Sequence, residues 1–295
     1  MPTVSICVPT YVQTKYLKRN LDSVLRQDYQ DYEVIVTDDT PGDEVRDFLE
    51  QYKFGDRLHY HKNQIRLGSP RNWDRSIELA KGKYIKILHH DDWFYEDNSL
   101  SRFVNLISSS DDIDFAFSGT NIVSEENRPE RVHSISNQQF EELKAMPELL
   151  FFGNIVGAPS ATIFSRRSAL KFDARFKWLV DLEFYMRLIR NSKNIAYTPD
   201  PLICTITDAV HSVTSECVDN KEVELYEYAQ IYADIKKNVS LKQQLSLQNQ
   251  LLFILRKYQV TSFLEFRKYY PSVLMPPKVI KYFLKELLKG RMQTA

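Results

Sequence analysis

Glycine is scarce in this chain of 295 residues: there are 8, and none lies in the turn directly after the first apolar run, Val4–Val8. A Rossmann dinucleotide site needs glycine in that turn so that backbone can approach a pyrophosphate, and a P-loop needs it to cradle phosphate. The turn here is Pro9-Thr10-Tyr11-Val12-Gln13-Thr14, so both are excluded. Cysteine is also sparse. Cys7, Cys204 and Cys217 form an odd set without Cys-x-x-Cys spacing, which speaks against a zinc site and for a reducing compartment. A formal net charge of +0 supplies no field for nucleic acid. No stretch approaches the roughly 18 uninterrupted apolar residues of a membrane-spanning helix. The N-terminus lacks a basic segment followed by a long apolar one, and reads as a strand rather than a signal peptide. No internal repeat or low-complexity tract is present.

What remains is ordinary for a globular protein with a large core: 43% hydrophobic, 26% charged, with 17 Tyr and 17 Phe. Short apolar runs at Val4–Val8, Tyr32–Thr37, Leu58–His61, Tyr84–Leu88 and Ile113–Ser118 predict strands. Helical spacing appears between them. It covers residues 15–26 (Leu17, Leu21, Val24 and Leu25), 43–52, a helix from Ser69-Pro70 to Ala80 with Gly82 past its end, and 98–109. This alternation predicts an α/β fold with a mostly parallel sheet flanked by helices.

In such sheets ligands bind outside the carboxyl ends of the strands. The polar groups there are Thr10 and Tyr11, then Asp38 and Asp39, then Asp91 and Asp92. Paired acids after a strand suit a divalent cation, Mg²⁺ or Mn²⁺, which takes oxygen ligands and shares them with phosphates. They also suit a polar turn. Convergence of three strand ends on one crevice favours the cation. With no glycine-rich loop, a bound diphosphate would be neutralised by that cation, with Arg71 as a helper.

Further along, Glu125–His133 reads as a loop or hairpin, Glu141–Phe152 as a helix, and Gly153–Ser160 as a small-residue segment able to shape an acceptor crevice. A strand is predicted at Ala161–Phe164. Asp181 and Glu183 open an apolar helix, a position where the helix dipole favours acids. From about residue 219 the pattern becomes helical throughout, with segments at 221–237, 241–258, 262–269 and 278–289. The last places Val279, Ile280, Phe283, Leu284, Leu287 and Leu288 on one face, and Lys278, Lys281, Lys285 and Lys289 largely on the other. Such a helix can lie on an anionic membrane or pack on protein.

Val4-Ser-Ile-Cys-Val-Pro-Thr-Tyr11, Tyr32-Glu-Val-Ile-Val-Thr-Asp-Asp39, the segment 63–72 and Tyr84-Ile-Lys-Ile-Leu-His-His-Asp-Asp-Trp93 follow one another in order and spacing. Together they resemble the nucleotide-sugar half of family 2 glycosyltransferases with the GT-A fold. The match is strong over residues 3–125 and weaker to about 215. The resemblance implies a GT-A domain over residues 1–218. Its nucleotide-sugar half would be 1–125 and its acceptor half 126–218, followed by a helical extension at 219–295.

The resemblance also assigns roles. Pro9, Thr10 and Tyr11 match the loop lining the nucleotide. Asp39 matches the acid that accepts a hydrogen bond from the base, usually uracil, with Asp38 before it. Arg71 and Asn72 match the segment beside ribose and diphosphate, Pro70 standing where the family often has Ala. Asp91 matches the metal-binding acid of the DxD motif, followed by Asp92. His89 replaces the first acid; it is expected to contact the sugar or ribose or to pack, metal ligation being the alternative, and His90 lies beside it. Asp181 falls on the catalytic base, with Glu183 second in line. His211 resembles a loop histidine that reaches metal or diphosphate.

The implied activity is inverting transfer from a UDP-linked sugar to a hydroxyl of a glycan or lipid-linked acceptor. Its setting would be surface polysaccharide synthesis, in the cytoplasm at the inner membrane face, with peripheral contact through 276–295. The alternatives are a catalytically impaired nucleotide-sugar-binding protein and a nucleotidyltransferase.

Overall fold

The computed structural model describes residues 1–206, 217–271 and 274–293, with side chains as far as Leu288. Its first strands are β1 (Val4–Thr10), β2 (Tyr32–Asp38), β3 (Leu58–Lys62) and β4 (Tyr84–Ile87). Between them lie α1 (Thr14–Leu25), α2 (Glu44–Leu49) and α3 (Arg71–Leu79). The four strands are parallel, in the order β3-β2-β1-β4. Every residue of β1, β2 and β4 is buried. Helices cover both faces of such strands, so their sequences run apolar without alternation.

Beyond β4 the sheet continues through β8 (Thr162–Ser165), β6 (Ile113–Val123), β9 (Asn194–Ile206) and the short β5 (Trp93–Phe94). β8 is antiparallel to both β4 and β6, β9 is parallel to β6, and β5 is antiparallel to β9. β7 (Pro129–His133) pairs antiparallel with β6, so the polar stretch after β6 is a hairpin. Helices α4 (Ser99–Ile107), α5 (Asn137–Ala145) and α6 (Val180–Asn191) complete the flanking layers. Most strands share one direction, as the α/β pattern requires.

Alternate residues of β1 serve opposite faces. Val4, Ile6 and Val8 join Leu17, Leu21 and Val24 of α1 and Phe103 of α4 in one core cluster. Cys7 joins Ile77 of α3, the apolar side of α6 and the C-terminal helices in the other. Those C-terminal helices span Lys221–Ile235, Leu241–Lys257, Phe263–Arg267 and Pro277–Gln293. Leu225, Tyr232, Leu251 and Phe283 share a cluster with Phe184 and Leu188 of α6. Each such burial stabilises the docking by roughly 1.5–3 kcal/mol.

Four local expectations are corrected. The helix expected at 141–152 is two elements: α5 starts at Asn137 under a Ser136–Gln139 capping box and stops at Ala145, and a 3-10 turn follows at Pro147–Phe152. Proline drives the residue before it out of helical backbone, and Met146 is accordingly extended (φ −147°, ψ 83°). Ser69 does not cap α3; the helix starts after Pro70, whose carbonyl accepts from Trp73 and Asp74. Gly82 is not a helix terminator but a close-approach residue: a Cβ there would lie 2.5 Å from the Ser5 nitrogen. Leu25 is exposed rather than part of the buried stripe, because α1 turns Asn20 and Ser23 inward instead.

Candidate active site

The carboxyl ends of β1, β2 and β4 open into one cleft of about 1050 Å³, lined among others by Pro9, Thr10, Tyr11, Asp39, Asn72, His89, His90, Asp91, Asp92 and Asp181. Parallel pairing sets Thr10 beside Asp38 in register, which carries both strand ends to the same edge. There the backbone bends sharply. Val12 adopts φ 63°, unusual for a β-branched residue, and its N–H donates to Thr40 Oγ1 at 2.8 Å.

Asp39 organises the loop that faces this turn. Its Oδ1 accepts from Asn63 Nδ2 (2.7 Å) and the Leu67 N–H (3.1 Å), and its Oδ2 from the Gly68 N–H (2.7 Å). Gly68 sits at φ 71°, where glycine is favoured. The loop carries Arg66, whose guanidinium lies 4.1 Å from the centroid of the Tyr11 ring. Asn72 ties the frame together: its Nδ2 donates to the carbonyls of Thr10 and Thr37, and its Oδ1 accepts from Asn63.

The acidic turn after β4 is stapled from α1. The Asp92 N–H donates to the His89 carbonyl at 2.9 Å. Asn20 Nδ2 donates to the carbonyls of His89 and Asp92, both at 2.8 Å. Ser160 Oγ accepts from the His89 N–H at 2.9 Å. Burial, and then the charge of Asp91, push the Asp92 carboxyl well above the usual range, against Ser160 and Lys86. Lys86 itself is fully buried, donates to the Ser160 carbonyl, and is pushed down to about 7 by burial.

Burial also takes the His89 imidazole down to about 4, which leaves it neutral at pH 7 and able to act as a ligand. Its ring packs 4.6 Å from that of Trp73. Its Nε2 is buried with no hydrogen-bond partner among the described residues. Ligand atoms of His89, Asp91 and Asp92 lie within 4.8 Å of one another. A neutral imidazole beside two carboxylates is a donor set that fits a divalent cation of the Mn²⁺ type.

Asp181 stands in the first turn of α6. Its Oδ1 accepts from the Leu182 N–H and its Oδ2 from Asn154 Nδ2, each at 2.9 Å. Burial pushes its carboxyl up to about 7, with Glu227 adding to the rise and helix N–H groups opposing it. Asn154 Oδ1 accepts from the N–H groups of Val156 (3.1 Å) and Gly157 (2.8 Å). Gly157 takes φ 99°, again favouring glycine, and its carbonyl accepts from Asn154 Nδ2 and the Tyr185 hydroxyl.

Three expected site residues lie elsewhere. Asp38 is fully buried and outside the cleft, accepting from Tyr60, Lys62, Thr10 and the Thr40 N–H; it braces β3 rather than meeting a nucleotide. Arg71 is exposed and absent from the cleft wall, because α3 begins with it and turns Asn72 inward. Glu183 is buried against Arg187 one helical turn on, which occupies its carboxylate. His211 lies outside the described residues. Conversely, Arg66, Asn20, Asn154 and Trp73 were not anticipated. A cation within the 63–72 segment was a legible hint for Arg66; contacts as distant in sequence as Asn154 to Asp181 leave no local signal.

Comparison with known proteins bears on the family and the fold. An uncharacterized glycosyltransferase of Methanocaldococcus jannaschii is 27% identical over 194 residues, covering 64% of this chain and 66% of that protein. A putative teichuronic acid biosynthesis glycosyltransferase of Bacillus subtilis is 29% identical over 129 residues, covering 43% and 50%. The chain thus spans no more than 66% of these curated relatives. Among solved structures, S. aureus TarS in complex with UDP-GlcNAc superposes with a TM-score of 0.62 at 17% identity, over 97% of this chain and 79% of that one. A mannosyltransferase from Pyrobaculum calidifontis, in complex with GDP-Man and Mn²⁺, gives 0.57 at 13% identity over 100% and 88%. At such identities the likeness shows the fold, which is GT-A. The model for glycosyl transferase family 2 matches residues 5–172, more than half of the sequence, and the chain belongs to that family.

Proposed function

We propose that this protein transfers a sugar from a nucleoside-diphosphate sugar, UDP-linked, to an acceptor hydroxyl with inversion. One observation carries the reading. A carboxyl pushed up to about 7 by burial, Asp181, lines the same cleft as the His89-Asp91-Asp92 cluster. A carboxylate of that basicity is suited to general-base work near neutral pH. In the proposed step the acceptor O–H gives its proton to Asp181. The acceptor oxygen forms a bond to the anomeric carbon as that carbon's bond to the diphosphate oxygen breaks, and the nucleoside diphosphate leaves with the electron pair. A divalent cation held by Asp91, Asp92 and His89 would supply Lewis-acid stabilisation of the departing charge. Tyr11 and Arg66 provide a stacked platform for the nucleotide, and Asp39 fixes the loop that carries Arg66. Asn154, Gly157, Ala158, Pro159 and Trp178 line the cleft and form the acceptor wall.

The test is a thermal-shift screen of nucleotide sugars with and without Mn²⁺, followed by mass spectrometry of transfer products. A metal-dependent shift with UDP-sugars is expected; no shift with any nucleotide sugar would reject the assignment. The acceptor is a glycan or lipid-linked glycan of surface polysaccharide synthesis; the B. subtilis relative is named for teichuronic acid biosynthesis. Residues 1–218 form the transferase domain in this reading, and 219–295 its helical extension.

The same reading places the protein in the cytoplasm at the inner membrane face. No helix among the described residues is long and apolar enough to cross a membrane. The helix Pro277–Gln293 buries Val279 and Phe283 against the protein but leaves Ile280, Leu284, Leu287 and Leu288 exposed, with Lys281 and Lys285 exposed beside them. An apolar stripe flanked by cations suits an anionic lipid surface. Leu284→Ser with Leu287→Ser should reduce co-sedimentation with phosphatidylglycerol vesicles, and equal sedimentation of both forms would remove the membrane from the proposal.

A further inference from the structure

Helix α6, which carries Asp181, has no side-chain cap of its own. Its N-cap residue is Leu179, and leucine offers no acceptor. The three N–H groups that lead into it, those of Lys177, Trp178 and Leu179, are instead held by a side chain 48 or more residues away. Glu227, on the helix Lys221–Ile235, is 2% exposed. Its Oε1 accepts from the Lys177 N–H at 2.6 Å and the Trp178 N–H at 3.2 Å. Its Oε2 accepts from the Trp178 N–H at 3.1 Å and the Leu179 N–H at 2.7 Å. The neighbouring Tyr228 meets the Trp178 ring edge-on, centroids 6.3 Å apart, and Trp178 lines the cleft.

We propose that Glu227 is a positioning residue for the base. Its carboxylate gathers three successive backbone N–H groups and fixes the turn from which the Asp181 helix starts. The C-terminal helical region is then part of the catalytic unit although the family model ends at residue 172. This rests on the reading of Asp181 as the base. A buried carboxylate at a helix N-terminus is held by charge-assisted hydrogen bonds and by the helix dipole. It also acts through space: Glu227 raises the Asp181 carboxyl, and the other ionisable group there is Tyr185, which itself feels Asp181 and Asp92. Lys177 is the cation that faces Glu227.

The test is Glu227→Gln, which keeps the shape and removes the charge, in the full chain. Hydrogen exchange at residues 177–179 should accelerate by about tenfold or more. Turnover should fall roughly 10–100-fold, as displaced catalytic groups do, while calorimetric affinity for UDP with Mn²⁺ stays unchanged. The acid limb of the kcat profile should move to lower pH, because a negative neighbour of Asp181 is gone. Glu227→Asp, which keeps the charge, should leave the limb in place and recover part of the turnover. Unchanged exchange overturns the clamp. Faster exchange with wild-type turnover and an unmoved limb overturns the positioning role. Should Glu227→Gln not fold, a Glu227→Asp enzyme with wild-type exchange and turnover overturns it equally. Asp181→Asn separates the two readings. If that variant still transfers sugar, the base assignment falls whatever Glu227 does. If it does not, a null result at Glu227 removes the positioning role alone.

Discussion

Asp92 and Asp181 both line the cleft, and both have carboxyls held above the ordinary aspartate range. Burial is the first cause in each, but the second differs. For Asp92 it is the charge of Asp91, the residue before it, with His89 close by. Two acids forced together in a dry turn are relieved by a cation that both can share. The other acid in the first turn of that helix, Glu183, is paired with Arg187; the further rise of Asp181 comes from Glu227, and hydrogen-bond donors oppose it. That environment leaves a carboxylate able to take up one proton near neutral pH. In the proposed mechanism the same perturbation serves two roles, and the neighbours tell them apart: crowded acids for a metal, an acid among hydrogen-bond donors for a proton.

The most disruptive way to break this comparison is to remove the proton acceptor. Asp181→Asn should lower turnover by roughly 10²–10⁴-fold, the usual weight of a general base. Calorimetric binding of UDP with Mn²⁺ should stay at the wild-type value. A loss of nucleotide affinity equal to the loss of turnover would show that Asp181 belongs to the donor side after all. On the metal side, Asp91→Asn should cost roughly 10–100-fold in Mn²⁺-dependent UDP affinity, a typical weight for a group in or next to a metal site. UDP affinity that is the same with and without Mn²⁺, in both wild type and variant, would leave the acid pair as a polar turn.

The two sites were also unequally legible in the sequence. His89-His90-Asp91-Asp92 is contiguous and follows a buried strand, so its place at the sheet edge follows from strand periodicity and parallel topology alone. Thr10, Tyr11 and Asp39 were legible for the same reason. Asp38 and Arg71 were misplaced by that logic. Strand-end position names a neighbourhood, whereas one residue's difference in register decides which side chain turns inward; Asp38 turns to Tyr60 and Lys62, and Asn72 rather than Arg71 enters the cleft. The base side is assembled from 154–157, 177–181 and 227, segments with no periodic relation. Asp181 was reached through resemblance; Asn154 fell within the 153–160 segment read as an acceptor crevice but was not singled out, and Glu227 was not reached at all, because a hydrogen bond across such separations leaves no trace in local pattern.

The smallest effect sharpens the comparison most, because it asks whether Asp181 can be made to resemble Asp92. Asn154→Asp keeps an oxygen for the Val156 and Gly157 N–H groups, so the loop retains its brace. It replaces the donor to Asp181 Oδ2 with a second carboxyl, giving Asp181 the crowded neighbour that Asp92 has. A like charge at hydrogen-bond distance raises a carboxyl. A base works only when deprotonated, so the sign is fixed: the acid limb of kcat/KM, expected near pH 7 in the wild type because burial pushes the Asp181 carboxyl up to about 7, should move up by about one unit. Activity at pH 7 should fall roughly fivefold and recover above pH 9, the reverse of the shift expected for Glu227→Gln. A loss that is the same at every pH would mean that Asn154 acts only on the shape of its loop. A limb that rises while UDP affinity stays constant would show that the proton and the metal are handled by separate parts of one cleft.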